Sequence, residues 1–113
     1  MPWRSTWPER PRLLAGLAAL LLSAQLGATE ADLAQGRALF REGAQPPCSL
    51  CHSLRDAGAS GAIGPNLDQL RPSAERVAAA LRGGVGVMPS YAASLDAEQI
   101  AALAAYVSQA AGR

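Results

Sequence analysis

The 113-residue chain has no lysine, one histidine (His52), two cysteines (Cys48 and Cys51) and two methionines (Met1 and Met88). Its ten arginines are scattered, so it lacks the basic clusters of a nucleic-acid surface, and no nucleic-acid partner is expected. Two cysteines and one histidine are too few for a four-ligand zinc site. Aromatic side chains are scarce as well. Trp3 and Trp7 lie near the start, leaving Phe40, Tyr91 and Tyr106 for everything after residue 28. So few large side chains are a thin supply for the core of a small domain, which implies that something else fills its centre. No run of alternating β-branched or aromatic residues reads as a strand, and the expected fold class is all-α.

Charge is unevenly placed. The first 28 residues hold Arg4, Arg10 and Arg12 against Glu9, and the remainder has seven arginines against eight acids. The basic start is followed by an uncharged Leu/Ala run from Leu13 to Ala28 and then by Thr29-Glu30. Basic region, short apolar region and small residues at the end form the pattern of a secretory signal peptide, here residues 1–28, preceding a domain at 29–113. Cleavage after Ala28 fits this pattern, and cleavage after Ala31 is an alternative. An uncleaved membrane anchor is a third reading, although the run is shorter than the roughly 18 to 20 residues that span a bilayer. All three place the domain outside the cytoplasm, with periplasmic localisation expected.

Three main helices can be read. The first runs from Leu33 to Glu42, with Asp32 as N-cap, Gln35 three positions on and Gly43 as its stop. The second runs from Ser73 to Arg82, between Pro72 and Gly83-Gly84. The third is capped by Asp96 with Gln99, carries a Leu95–Ile100 staple, and buries Ile100, Leu103, Tyr106 and Val107. Long loops at 44–71 and 83–94 separate them, and loops of this length in a small domain are commonly functional.

Cys48-Ser49-Leu50-Cys51-His52 has the C-x-x-C-H spacing of c-type haem attachment. Two cysteines three apart sit on one turn, where each can add across one vinyl group, and the next residue offers an imidazole to the iron. A thioredoxin-like pair needs a strand–helix–strand setting that this sequence lacks. A plain disulfide remains possible for an exported protein but leaves His52 and the long loops without a role. A second axial ligand can be argued by elimination, the other reading of Met88 being a flexible gap-filler in the core. No other histidine and no lysine exist, and Met88 is the one methionine after the leader; it sits in the glycine-rich segment Gly83 to Tyr91.

Gly36, Phe40, Cys48-x-x-Cys51-His52, Gly64-Pro65-Asn66-Leu67, Met88-Pro89 and Leu103-x-x-Tyr106, in that order, resemble a class I c-type cytochrome. The resemblance implies a cytochrome c fold with long loops wrapped around one covalently attached haem c. It also implies that the first and last helices cross at Gly36, that Phe40 packs near Tyr106, and that the Pro65 carbonyl accepts a hydrogen bond from His52. The family's tryptophan for a haem propionate is missing; Tyr91, Arg55 and Arg71 are candidates for that role on chemistry alone. The function implied is one-electron transfer between redox proteins, a dehydrogenase as donor and a terminal oxidase or another cytochrome as acceptor, with membrane contact only if the leader is retained. Two alternatives are a haem subunit of a periplasmic dehydrogenase complex, and an open-site haem enzyme or gas sensor.

Overall fold

The computed structural model describes residues 2–4, 7–8 and 27–113. The proposed leader therefore lies outside the described residues, apart from a few of its positions. No helix among the described residues is long and apolar enough to cross a membrane.

Helix α1 (Glu30–Ala38) begins one turn earlier than its sequence suggests. Its N-cap is Thr29, not Asp32. The Thr29 hydroxyl accepts the Asp32 N–H at 3.1 Å, and the Asp32 carboxylate accepts the Thr29 N–H at 3.0 Å. Asp32 thus serves as the acidic third position of a capping box rather than as its cap. The last turn, Leu39–Gly43, widens to a π-turn in which the Ala44 N–H donates to the Leu39 carbonyl at 2.9 Å. Extended backbone at Ala44 ends the helix, and Gly43 is not left-handed.

The stretch 44–71 contains structure that its sequence does not signal. Strands β1 (Ser53–Leu54) and β2 (Ala59–Ser60) pair antiparallel, with Ser53 opposite Ser60 and Leu54 opposite Ala59. Helix α2 (Leu67–Leu70) is a single turn capped by Asn66 Oδ1, which accepts the N–H groups of Asp68 and Gln69. Two-residue strands and a four-residue helix are too short to leave a periodic pattern. The described residues therefore hold four α-helices rather than three.

Helices α3 (Ala74–Gly83) and α4 (Ala97–Ala110) fall where expected. Ser73 Oγ caps α3, and Gly84 at φ 69° ends it. Asp96 and Gln99 cap α4 reciprocally at 2.8 and 2.9 Å, with Leu95 and Ile100 both buried across the cap. Helices α1 and α4 meet at Gly36. A Cβ there would collide with the Ala102 carbonyl and lie 2.5 Å from Tyr106 Cβ, so only glycine allows this approach. One turn on, Phe40 and Tyr106 pack edge to face, their ring centroids 6.2 Å apart. The Tyr106 hydroxyl donates to Asp56 Oδ2 at 2.6 Å, which ties α4 to the segment after β1.

The C-terminal end of α4 is fastened by one carboxylate. Asp68 accepts the Gly112 N–H at 2.8 Å and the Arg55 N–H at 2.9 Å, while the Arg55 guanidinium donates to the Arg113 carbonyl. The Gly112 hydrogen bond, aided by the Arg55 N–H and the nearby Arg55 and Arg71 charges, holds the Asp68 carboxyl below its ordinary value against the opposing effect of desolvation. A depressed carboxyl pKa adds stability that is present above the unfolded value and lost as pH falls through the folded one. The thermal midpoint is thus expected to decline as pH is lowered below about 4. In Asp68→Asn part of that decline should disappear; an unchanged pH profile in the variant would show that the carboxylate is not the group responsible.

Candidate functional site

The C-x-x-C-H segment is shaped by short-range bonds. Pro47 precedes a 3-10 turn at Cys48–Leu50, and the Cys51 and His52 N–H groups both donate to the Cys48 carbonyl, at 3.1 and 2.9 Å. This places Cys48, Cys51 and His52 together on the wall of one cavity. The chain then folds back through β1 and β2, and Ser53 Oγ donates to the Gly61 carbonyl at 2.8 Å. Gly61 passes so close to the Cys51–His52 peptide that a Cβ would lie 2.7 Å from the His52 nitrogen. Gly64 lies against the imidazole itself, where a Cβ would come within 2.6 Å of His52 Cε1. The Gly64 N–H donates to the Cys51 carbonyl at 2.7 Å.

His52 Nδ1 is 2.7 Å from the Pro65 carbonyl oxygen. A carbonyl only accepts, so Nδ1 carries the hydrogen and Nε2 keeps its lone pair. The ring is thereby held in one tautomer and one orientation, as suits a metal-binding histidine.

The cavity has a volume of about 360 Å³ and walls that are mainly apolar. Phe40, Leu103 and Val107 come from α1's last turn and from α4, Val77 and Leu81 from α3, and Leu67 from α2. Met88 closes the wall from the loop between α3 and α4. That loop turns tightly: Val85 and Met88 exchange backbone hydrogen bonds at 3.0 and 2.9 Å, and Gly86 takes φ 55°. His52, Met88 and both cysteines thus face one space, although 36 residues separate the histidine from the methionine. Neither cysteine is in a disulfide, and burial pushes the Cys48 thiol up to about 11.

Residues 31–107 match the family model described as cytochrome C oxidase, cbb3-type, subunit III. The chain belongs to the class I c-type cytochromes. Its structure is similar to the crystal structure of the c-type cytochrome SorU from Sinorhizobium meliloti, with a TM-score of 0.73 and 50% sequence identity over 75% of this chain and 97% of that one. No curated protein sequence matches it. The cytochrome c fold expected from the sequence is therefore the observed one, and the cytochrome carries covalently attached haem c. The residues fit such a group: a long apolar space suits the macrocycle, and an imidazole with a committed Nδ1 faces it beside two free thiols.

The three side chains considered for a propionate fare differently. Tyr91 lines the cavity, but its hydroxyl donates to the Pro46 carbonyl at 2.6 Å, so its one hydrogen is already engaged. Burial pushes its phenol up to about 12, which keeps it neutral. Arg55 and Arg71 lie on a separate, more open groove with Asp68, where the C-terminus is fastened. The residue that the sequence did not single out is Arg76 on α3. It is the one arginine on the cavity wall, which holds no acid, and among the described residues its guanidinium makes no hydrogen bond or ion pair. Its signal was its place one residue before Val77, on a helix whose buried face was otherwise legible.

Proposed function

We propose that this cytochrome is an exported, periplasmic one-electron carrier, with Cys48 and Cys51 as the thioether sites and His52 and Met88 as axial ligands. The observation that carries this is the meeting in one cavity of the only histidine, both cysteines and the only methionine beyond the leader. Haem bound here supplies reversible exchange of one electron between ferric and ferrous iron. His52, with Nδ1 donating to Pro65, offers Nε2 as a strong, oriented donor. The Met88 thioether favours the reduced state, and apolar walls do the same by disfavouring the additional positive charge of the oxidised one. With His52 and Met88 both holding the iron, no position would be left for a substrate, which supports transfer rather than catalysis. Arg76 is the cation best placed to face a carboxylate of the cofactor.

The absorption spectrum of the purified holoprotein tests the ligand set. A sharp reduced c-type spectrum and the weak far-red ferric band of a sulfur–iron bond are expected. Met88→Ala should abolish that band while the haem stays attached. A wild-type spectrum without it, or a variant that keeps it, rejects Met88 as ligand.

The α1 cap bears on export. Cleavage after Ala28 leaves Thr29, and with it both bonds of the capping box, whereas cleavage after Ala31 removes the cap and the start of the helix. Replacing such a cap typically costs about 1 kcal/mol. The intact mass of the exported protein should therefore correspond to a chain starting at Thr29 plus one haem; a start at Met1 or Asp32 contradicts this.

The mouth of the cavity indicates how a partner is met. Ile63, Val85 and Val87 line it while 70%, 64% and 90% exposed, and the segments 57–67 and 83–95 contain no charged residue. A neutral apolar rim gives little electrostatic steering, so the electron-transfer rate to a redox protein should change less than about threefold between roughly 20 and 200 mM salt. A steep fall with added salt would show that charges elsewhere direct docking.

A further inference from the structure

The cavity is closed by two parts of the chain that are fastened very differently. The part before α3 carries His52 and holds it with the Pro65 carbonyl, the Gly64–Cys51 bond and the β1–β2 pair. The loop 84–95, which carries Met88, bonds mostly to itself and to the end of α3. Tyr91 N–H donates to the Leu81 carbonyl at 2.6 Å, Ser90 Oγ to the Arg82 carbonyl, and Val85 and Met88 to each other. Among the described residues, one hydrogen bond joins this loop to anything before α3: Tyr91 O–H to Pro46 O, across 45 residues of sequence.

The acceptor is well suited to the task. Pro46 and Pro47 both line the cavity and neither has an N–H, so each offers only its carbonyl to a backbone hydrogen bond. The Pro47 carbonyl takes the Leu50 N–H at 3.1 Å, which leaves the Pro46 carbonyl for Tyr91. The Tyr91 ring is buried, with 4% exposure, and lines the cavity together with Met88, three residues away.

We propose that Tyr91 is a latch: its hydrogen bond to Pro46 holds the Met88 loop shut over the haem and sets how often the methionine leaves the iron. Tyr91 is a positioning residue that acts through Met88, so the inference rests on Met88 being the second axial ligand. Without the hydroxyl the loop loses its one polar tie to the other wall, and the Pro46 carbonyl loses its partner. A net loss typical of one such bond raises the population of the open loop by about tenfold.

Tyr91→Phe keeps the ring in the cavity and deletes only the hydroxyl. The holoprotein is heated while two signals are followed, the far-red ferric band for the methionine–iron bond and far-ultraviolet circular dichroism for the helices. In wild type the two are expected to fall together or nearly so. In Tyr91→Phe the band should vanish at clearly lower temperature than the helices, and carbon monoxide should bind the ferrous protein about tenfold faster. Tyr106→Phe is the control, since it removes an equally short, part-buried bond, to Asp56, away from the loop. It should lower both signals together and leave the carbon monoxide rate near wild type. If Tyr91→Phe behaves as Tyr106→Phe does, the hydroxyl serves general stability only and the latch is rejected. If wild type lacks the far-red band altogether, the ligand assignment itself is wrong, which is a different and separately visible result.

Discussion

Burial of apolar side chains against something flat is the constraint from which the rest follows. Phe40, Leu54, Leu81 and Leu103 are the largest fully buried side chains, and three of them, all but Leu54, also line the cavity. Each therefore packs against protein on one flank and faces the cofactor space on another. Burying a side chain of this size contributes about 1.5–3 kcal/mol, but only where water is excluded from all of it. With three aromatic residues beyond residue 28, the chain does not fill that space itself. Covalently attached haem c completes the core, so the same residues that define the site also define the fold. The α1–α4 crossing at Gly36 and the Phe40–Tyr106 pair then close the side of the core where protein meets protein.

Polar groups are sorted around this centre by what each can do without opening it. Backbone carbonyls and N–H groups act near the cavity: Pro65 O on His52, Cys48 O on two N–H groups, Pro46 O on Tyr91. Carboxylates act elsewhere, in the capping boxes through Asp32 and Asp96 and as ties at Asp56 and Asp68. A carboxylate on the cavity wall would stabilise the oxidised iron and lower the potential, whereas neutral dipoles orient the imidazole without that cost. Arg76 is the exception, and a cation at that place opposes oxidation in the same sense as the apolar walls.

Much of this was legible before any coordinates. The haem pentapeptide and the lone Met88 stand out because the chain offers so few other ligands, and they line one cavity; the Asp96–Gln99 box and Ser73 gave α4 and α3 closely. The start of α1 was misplaced because Thr29 and Asp32 both satisfy the rule for a cap, and only the reciprocal hydrogen bonds distinguish the cap from its third position. Helix α2 and the β1–β2 pair were invisible, since one turn and two residues carry no period. Tyr91 was a candidate for a propionate on chemistry alone; it lines the cavity, and the oxygen that takes its hydrogen is a carbonyl 45 residues away. Arg55 and Arg71 were drawn in by charge alone. The Arg55 guanidinium finds its partner, the Arg113 carbonyl, only through the path of the chain after α4, while Arg71 bonds to the Asp68 carbonyl three residues back.

The two walls of the site also differ in what would have to break for each to move. Turning His52 means disturbing Gly61 and Gly64, both packed within van der Waals range of the His52 backbone or ring, and giving up the bond to Pro65. Moving Met88 disturbs a turn bonded mainly within itself, flanked by Val85 and Val87, which stay largely in solvent. Local opening is drawn from such regions, where few buried contacts and few long-range bonds hold the backbone. The asymmetry gives the domain one fixed face, which preserves the electronic setting of the imidazole, and one face whose closure rests on a single side chain. On the proposed ligand set both faces bear on the potential, because each axial ligand helps to set it. On that proposal, what separates a carrier from an open-site haem protein is the closure of the loop around Met88, and not the helices that make up most of the domain's mass.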